Sequence, residues 1–210
     1  MTENRRILID PKRFGSLDKK LNTLSLLENE KHYLKRVLRL RVGDQIDVLN
    51  GKGNLWSAIL VSYDSIKLIT DLQHPIETSD RSKNLICLAV VIPKRGFEEM
   101  LRMICEIGVD VIQPLYSERS NSRCSIPKER WSTIISESVE LSERLWKPEL
   151  LDSLEYKDWI LNKKIYSNYA ISVTRDTYLE DINIWSRKQN NETNDTWIII
   201  GPEGGWSKSE

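Results

Sequence analysis

Trp197-Ile198-Ile199-Ile200-Gly201-Pro202-Glu203-Gly204-Gly205-Trp206-Ser207-Lys208-Ser209-Glu210 is the stretch that decides how this 210-residue sequence folds. Its first four residues are apolar and three are β-branched, the pattern of a buried strand. A loop with three glycines and a proline follows. Ser207 and Glu210 then stand at S-x-x-E spacing, a capping box that opens a helix. Strand, glycine loop and helix start together make a place where backbone can approach a ligand closely.

The loop's chemistry narrows the ligand. It is not G-x-G-x-x-G, and it lacks the Gly-Lys-Ser/Thr ending of a phosphate loop. Glu203 sits in its middle. A carboxylate there repels phosphate and suits a cationic centre. The sulfonium of S-adenosylmethionine fits that requirement; a nucleoside triphosphate does not. A tight strand-to-helix turn that needs glycine only for its backbone angles would read the same way. If Ser207 is the N-cap, Glu210 is only the third helical residue, and one turn does not sustain a helix. The expectation is a longer protein that continues past this point.

Working outward, an apolar content of 40% supports a core and a charged content of 30% a solvated surface. Cys87, Cys105 and Cys124 are odd in number and form no C-x-x-C, so neither a disulfide framework nor a zinc site is suggested. No other metal site is suggested, and reduced thiols fit a cytoplasmic protein. The first residues carry no signal-peptide pattern. The longest apolar run, residues 85–92, is too short to span a membrane. Lys and Arg equal Asp and Glu at 31 each, but not evenly. Residues 1–75 hold 13 cations against 9 anions, and residues 76–210 hold 18 against 22. A basic front module on an acidic remainder points to a polyanion-binding domain attached to something else.

Within residues 1–75, residues 5–9 read as a strand closed by Asp10-Pro11. Helical periodicity begins at Glu30, with Leu34, Val37 and Leu38 as an apolar stripe. His32, Lys35, Arg36 and Arg39 share another face, which could track phosphates or be an ordinary solvated surface. Strands are expected at 45–49, 54–62 and 65–72, with a hairpin at Asn50-Gly51. Short strands with tight turns predict a small barrel.

Residues 76–210 alternate strand and helix after a polar linker at 75–83. Strands are expected at 85–92, 109–115, 164–173 and 196–200, and helices from Phe97 to Gly108 and over 128–146. Trp131, Ile134, Ile135, Ser138, Leu141, Ser142 and Leu145 are read as the inner side of the second helix. Residues 177–188 are weakly helical, and 189–195 an exposed loop. The order β-α-β-α with buried strands predicts an α/β domain built on a mostly parallel sheet. The loop 117–123 leaves the C-terminal end of a strand, the edge where such sheets place ligands.

The chain resembles the RsmE family of ribosomal RNA methyltransferases, in the SPOUT class of knotted methyltransferases. The resemblance rests on His32 with Arg36-Val37-Leu38-Arg39 and Gly43-Asp44. It rests also on Glu106-Ile107-Gly108-Val109, on Pro114 with Glu118-Arg119-Ser120, and on Glu140, Ser142, Arg144 and Pro148. The most specific segment is Ile200-Gly201-Pro202-Glu203-Gly204-Gly205. The resemblance implies a PUA-like RNA-binding barrel over 1–75 and a SPOUT-type, mostly parallel α/β domain over 76–210, incomplete at its C-terminus. It implies methyl transfer from S-adenosylmethionine to N3 of a uridine in 16S ribosomal RNA of the small subunit, by a homodimer.

Carried over residue by residue, Gly201, Pro202, Glu203, Gly204 and Gly205 match the cofactor loop, and Thr174 is a further cofactor candidate. His32, Arg36, Arg39, Arg119, Arg123 and Arg144 are candidates for RNA contact. Arg144 is also a candidate to stabilise a uridine anion; the general base is unassigned. The family has Gln-Ser-Gly-Arg where this chain has Leu141-Ser142-Glu143-Arg144, and often Lys at the place of Met103. Its members continue to a Leu-Arg-x-Glu-Thr-Ala segment that supplies a last strand, the knot and another cofactor loop. A non-catalytic RNA-binding protein that lost the transferase site with that segment is the alternative.

Overall fold

The computed structural model describes residues 5–18, 20–120, 128–162, 168–171 and 195–210. The chain forms two compact units. One comprises Met1–Arg81 with Ser136–Lys147, the other Ser82–Ile135 with Pro148–Glu210. Among the described residues, no helix is long and apolar enough to cross a membrane, and no cluster of His, Cys, Asp and Glu could hold a metal.

The first unit is built on a six-stranded mixed sheet. Its strands are β1 (Arg6–Leu8), β2 (Thr23–Ser25), β3 (Gln45–Leu49), β4 (Asn54–Ser62), β5 (Ser65–Leu68) and β6 (Glu77–Thr78). The order is β1-β3-β4-β5-β2, with β6 on β4, and only β1 and β3 run parallel. Inward residues such as Ile7, Ile46, Val48, Leu60, Ile66 and Leu68 are almost wholly buried. Each large aliphatic side chain buried this way contributes roughly 1.5–3 kcal/mol. Phe14 packs on Trp56 with ring centroids 4.8 Å apart. Asp10 caps a 3-10 turn over Pro11–Ser16 by accepting from the Lys12 amide at 2.8 Å.

The helix expected after Glu30 forms but changes pitch. It begins as α1 (Glu28–His32) and becomes a π-turn over Tyr33–Val37, closed by the Leu38 amide donating to the Tyr33 carbonyl. A π-turn fits an extra residue into each turn, so the stripe rotates. Leu34 and Leu40 are buried, whereas Val37 is 59% exposed. Arg39 has φ 54°, in the left-handed region, and lies beyond the helix. The expected apolar stripe therefore loses one member and the basic face loses its regular spacing.

The β3–β4 connection runs through Asn50, whose Oδ1 accepts from the amides of Lys52 and Asn54. Gly53 has φ 90°, and a β-carbon there would collide with the Ser79 carbonyl and stand 2.8 Å from the Trp146 ring nitrogen. Only glycine fits.

The second unit holds a six-stranded, wholly parallel sheet. Its strands are β7 (Ile86–Val91), β8 (Val111–Tyr116), β9 (Glu149–Leu150), β10 (Leu154–Glu155), β11 (Asn168–Ile171) and β12 (Thr196–Ile200). The order is β10-β8-β7-β12-β11, with β9 also on β8. Its helices are α2 (Phe97–Glu106), α3 (Lys128–Leu141), whose last turns are counted with the first unit, and α4 (Tyr156–Asn162). α2 buries Phe97, Leu101, Ile104 and Cys105, and Phe97 meets Trp131 edge-on at 4.7 Å. Cys87 is also buried.

α3 ends at Leu141 rather than at 146. Trp131, Ile134, Ile135 and Ser138 are buried as expected, but Leu141 is 76% exposed and Leu145 is buried beyond the helix. Leu141 closes the helix on its exposed side, and the left-handed φ of 57° at Glu143 takes Leu145 out of the helical register. In β12, Trp197 and Ile199 point into the core while Ile200 is 38% exposed. The weak helix expected at 177–188 lies outside the described residues.

Candidate functional site

In a parallel sheet all strand C-termini reach the same edge, and loops leaving that edge converge. Here three of them do. β7 runs into Ile92-Pro93-Lys94, β8 into Ser117-Glu118-Arg119-Ser120, and β12 into the glycine loop. Together they line a cleft of about 280 Å³ whose walls include Ile92, Pro93, Lys94, Arg119, Pro202, Glu203 and Gly204.

The glycine loop is shaped by a turn and an indole. The Gly205 amide donates to the Pro202 carbonyl at 2.9 Å, and Gly205 has φ 72°. The Trp206 ring lies over Gly201, where a β-carbon would come within 2.6 Å of it. Trp206 in turn stacks at 4.5 Å on Tyr156. Burial, followed by the charge of Glu210, raises the Tyr156 hydroxyl above its ordinary pKa. Gly204 differs, since a β-carbon there would have its nearest neighbour at 3.9 Å, on Arg119. Arg119 Nη1 donates to the Gly204 carbonyl at 2.8 Å, joining the β8 and β12 loops across the cleft.

A second tie runs through Glu118. Its carboxylate pairs with Lys157 and accepts from the Ser209 hydroxyl at 2.9 Å, while its amide donates to Glu210 Oε1. Lys157 first, then Ser207 and Ser209, hold the Glu118 carboxyl down to about 2. The same pairing raises Lys157 above its ordinary value. The expected capping box exists: the Ser207 amide donates to Glu210 Oε2 at 3.0 Å and the Glu210 amide to Ser207 Oγ at 3.2 Å.

This donor set fits S-adenosylmethionine. Exposed Glu203 could face a sulfonium, Lys94 and Arg119 could hold the carboxylate of its amino-acid end, and Ile92, Pro93 and Pro202 offer apolar edges to the adenine. The open face of Gly204 is a cradle that a side chain would fill. Thr174 and Arg123 lie outside the described residues.

The basic candidates fall in different places. His32, Arg36 and Arg39 lie on the first unit, around α1 and the π-turn, and all three are exposed. Lys35, on the same surface, sits 4.7 Å above the Tyr63 ring. Arg119 belongs to the cleft of the second unit. Arg144 follows α3 in the first unit, half-buried.

A cavity of about 650 Å³ within the first unit is not foreshadowed by any motif. Glu140 is its chemical centre. Oε1 accepts from the Leu8 amide at 2.7 Å, and the Tyr33 hydroxyl donates to the same carboxyl. Burial pushes the Glu140 carboxyl up to about 7, helped by Glu137 and Glu30 and opposed by the Leu8 and Tyr33 hydrogen bonds. The Tyr33 hydroxyl is raised by burial and then by Glu140, so it stays a donor. Leu8 and Glu140 are 132 positions apart, and no local pattern signals such a pair. The sequence offers an acid beside the apolar side of α3, at a place that also carries the family resemblance, but nothing that pairs it with Leu8 or Tyr33.

A parallel α/β sheet with a glycine loop on its C-terminal edge, in one chain with a small mixed sheet, is the architecture of SPOUT-type RNA methyltransferases with a PUA-like module. The RNA methyltransferase domain model matches residues 80–210, and the RNA methyltransferase PUA domain model matches residues 26–72. The chain is 34% identical over 198 residues to ribosomal RNA small subunit methyltransferase E of Synechocystis sp., covering 90% of this chain and 62% of that protein. It is 30% identical to the protein of the same name from Buchnera aphidicola, covering 88% of this chain and 75% of the relative. In fold it is similar to a crystal structure of ribosomal RNA small subunit methyltransferase E from Neisseria gonorrhoeae bound to S-adenosyl methionine. That likeness has a TM-score of 0.77 at 22% identity, over 99% of this chain and 83% of the other. The chain belongs to this methyltransferase E family, and it spans about three fifths of the length of the Synechocystis relative.

Proposed function

We propose that this chain is part of an S-adenosylmethionine-dependent enzyme that methylates N3 of a uridine in 16S ribosomal RNA. In this reading the first unit is the RNA-binding, PUA-like module, and the second unit carries the cofactor. The enzyme works as a homodimer in the cytoplasm, on the RNA or the assembled small subunit. The observation that carries the reading is the cleft where Glu203, Lys94, Arg119 and the bare Gly204 face a common space at the C-terminal edge of the parallel sheet. Family membership supports it.

When bound, the cofactor supplies a methyl group activated on a cationic sulfur. The protein's share is mainly positional, which accounts for a large part of such rate enhancements. Gly204 lets backbone close on the cofactor, Gly201 and Gly205 give the cofactor loop its shape against Trp206 and the Pro202 turn, Glu203 balances the sulfonium charge, and Arg119 fixes the two loops that form the walls. The N3 proton of the uridine must leave. Arg144 is the candidate for stabilising the resulting anion electrostatically. His32, Arg36, Arg39, Arg119 and Arg123 hold RNA phosphates, with Thr174 at the cofactor's edge.

Isothermal calorimetry with S-adenosylmethionine tests the site. The wild-type chain is expected to bind, and Gly204→Val to lose binding because its side chain occupies the cleft. Equal affinity in the two proteins overturns the assignment. Salt-dependent RNA affinity without any cofactor affinity would instead favour a non-catalytic RNA-binding protein. Light scattering on the eluting protein checks the dimer.

A further inference from the structure

We propose that the cavity of the first unit is a reading pocket for a single unpaired keto base, uracil or guanine, of the RNA. The proposal rests on the reading of that unit as an RNA-binding module and goes beyond it, by naming where a base is read and which kind. All the residues lining the cavity belong to the first unit. Its volume, about 650 Å³, lies in the range of small-ligand sites.

Two polar side chains on its wall, Arg6 and Glu140, give it a donor and an acceptor. The Arg6 side chain is only 10% exposed, and its Nε is buried with no hydrogen-bond partner among the described residues. Its other contacts are a 2.9 Å hydrogen bond from Nη1 to the Glu143 carbonyl and a loose 3.7 Å approach to the largely exposed Glu143 carboxylate. A buried donor left unsatisfied costs about 1–3 kcal/mol, and more when charged. Glu140, the second group, spends Oε1 on the Leu8 amide and takes the Tyr33 hydroxyl, which leaves further lone pairs open. A guanidinium donor and a carboxylate acceptor thus line one hollow.

The matching ligand edge carries a carbonyl beside an N–H. Among neutral nucleobases a ring N–H at the pairing edge exists only in uracil and guanine, each flanked by a carbonyl. Adenine and cytosine offer an exocyclic amine but no ring N–H there. The remaining lining suits a nucleotide. Tyr33 provides an aromatic face and Leu38 and Leu40 an apolar floor, and exposed Arg5 stands where a phosphate could follow. Stacking on an aromatic ring with edge hydrogen bonds is how single-stranded RNA is read.

The test compares short single-stranded oligouridylate and oligoadenylate binding to the full chain by fluorescence anisotropy at fixed salt. Wild type is expected to favour oligouridylate by about tenfold, the scale of one well-made two-bond base contact. Glu140→Gln and Arg6→Met, checked for folding by circular dichroism, should bring the ratio near one with oligoadenylate affinity unchanged. An unaltered ratio in folded variants overturns the pocket. So does a wild-type ratio of one, while RNA affinity itself would leave the module's role standing. No RNA affinity at all overturns both readings. As a measurement needing no variant, 4-thiouridine crosslinks on the wild-type chain should map to the peptides carrying Tyr33 or Gln45. Crosslinks confined to other peptides overturn the proposal.

Discussion

Each unit presses a glycine beneath a tryptophan, and the two pairs are held differently. In the first unit Gly53 lies under Trp146, whose ring nitrogen donates to the Ser79 carbonyl at 2.9 Å. Gly53 itself donates to the Leu145 carbonyl and accepts from the Ser79 amide. In the second unit Gly201 lies under Trp206, which also stacks on Tyr156. The first pair is backbone locked against backbone, the second a ring resting on a loop. Their acids differ in the same sense. In the first unit Glu140 is half-buried in the wall of its pocket, whereas in the second Glu203 is exposed beside the cleft. For the two glycines, the contrast separates a position locked by the fold from one in a loop that can give way.

The sharpest way to break this comparison is Gly53→Ala. A left-handed non-glycine residue costs roughly 1–2 kcal/mol and overpacking about 1–3 more. The expected loss is therefore about 4 kcal/mol in denaturant unfolding. A loss near zero would mean that the Gly53 cradle yields like a loop.

Next comes the pH dependence tied to Glu140. Its carboxyl, pushed up to about 7 from an ordinary 4.5, binds its proton more tightly folded than unfolded. Its contribution is whole below the unfolded value and is lost as pH rises through the folded one. The expected loss is up to about 3 kcal/mol over that window, and Glu140→Gln should flatten the slope. Denaturation midpoints at a series of pH values check this; parallel profiles for wild type and variant would refute it.

Gly201→Ala should cost less than Gly53→Ala, about 2 kcal/mol, because the Trp206 ring can shift where the Ser79 backbone cannot. The shift should show as a change in tryptophan fluorescence. Smallest is Glu143→Gly. The left-handed backbone at Glu143 is strained, so glycine should gain about 1 kcal/mol, read as a higher melting temperature. A fall instead would show that the contact with Arg6 outweighs the strain.

Several elements are legible in the amino-acid pattern alone. Alternation locates β3 and β4 to the residue, and the run of isoleucines locates β12, because strand periodicity and β-branching are local signals. The Pro202–Gly205 turn and the Ser207–Glu210 box are legible for the same reason. The stripe at 34, 37 and 38 fails at Val37, since a π-turn leaves no mark in residue type. The inner side of α3 holds through Ser138 and fails at Leu141, close to where the backbone turns left-handed at a glutamate.

The amino-acid sequence by itself determined the order of strands and helices, the glycine-bearing turn with its carboxylate, and membership of a methyltransferase family. These depend on side-chain type at short spacing, which a chain carries whether folded or not. Only the tertiary structure decided that residues 136–147 pack with the first unit, that Arg119 ties the β8 loop to Gly204, and that Glu140 and Arg6 line one hollow. Each of those joins residues dozens of positions apart, and their proximity is set by how sheets and helices share a core.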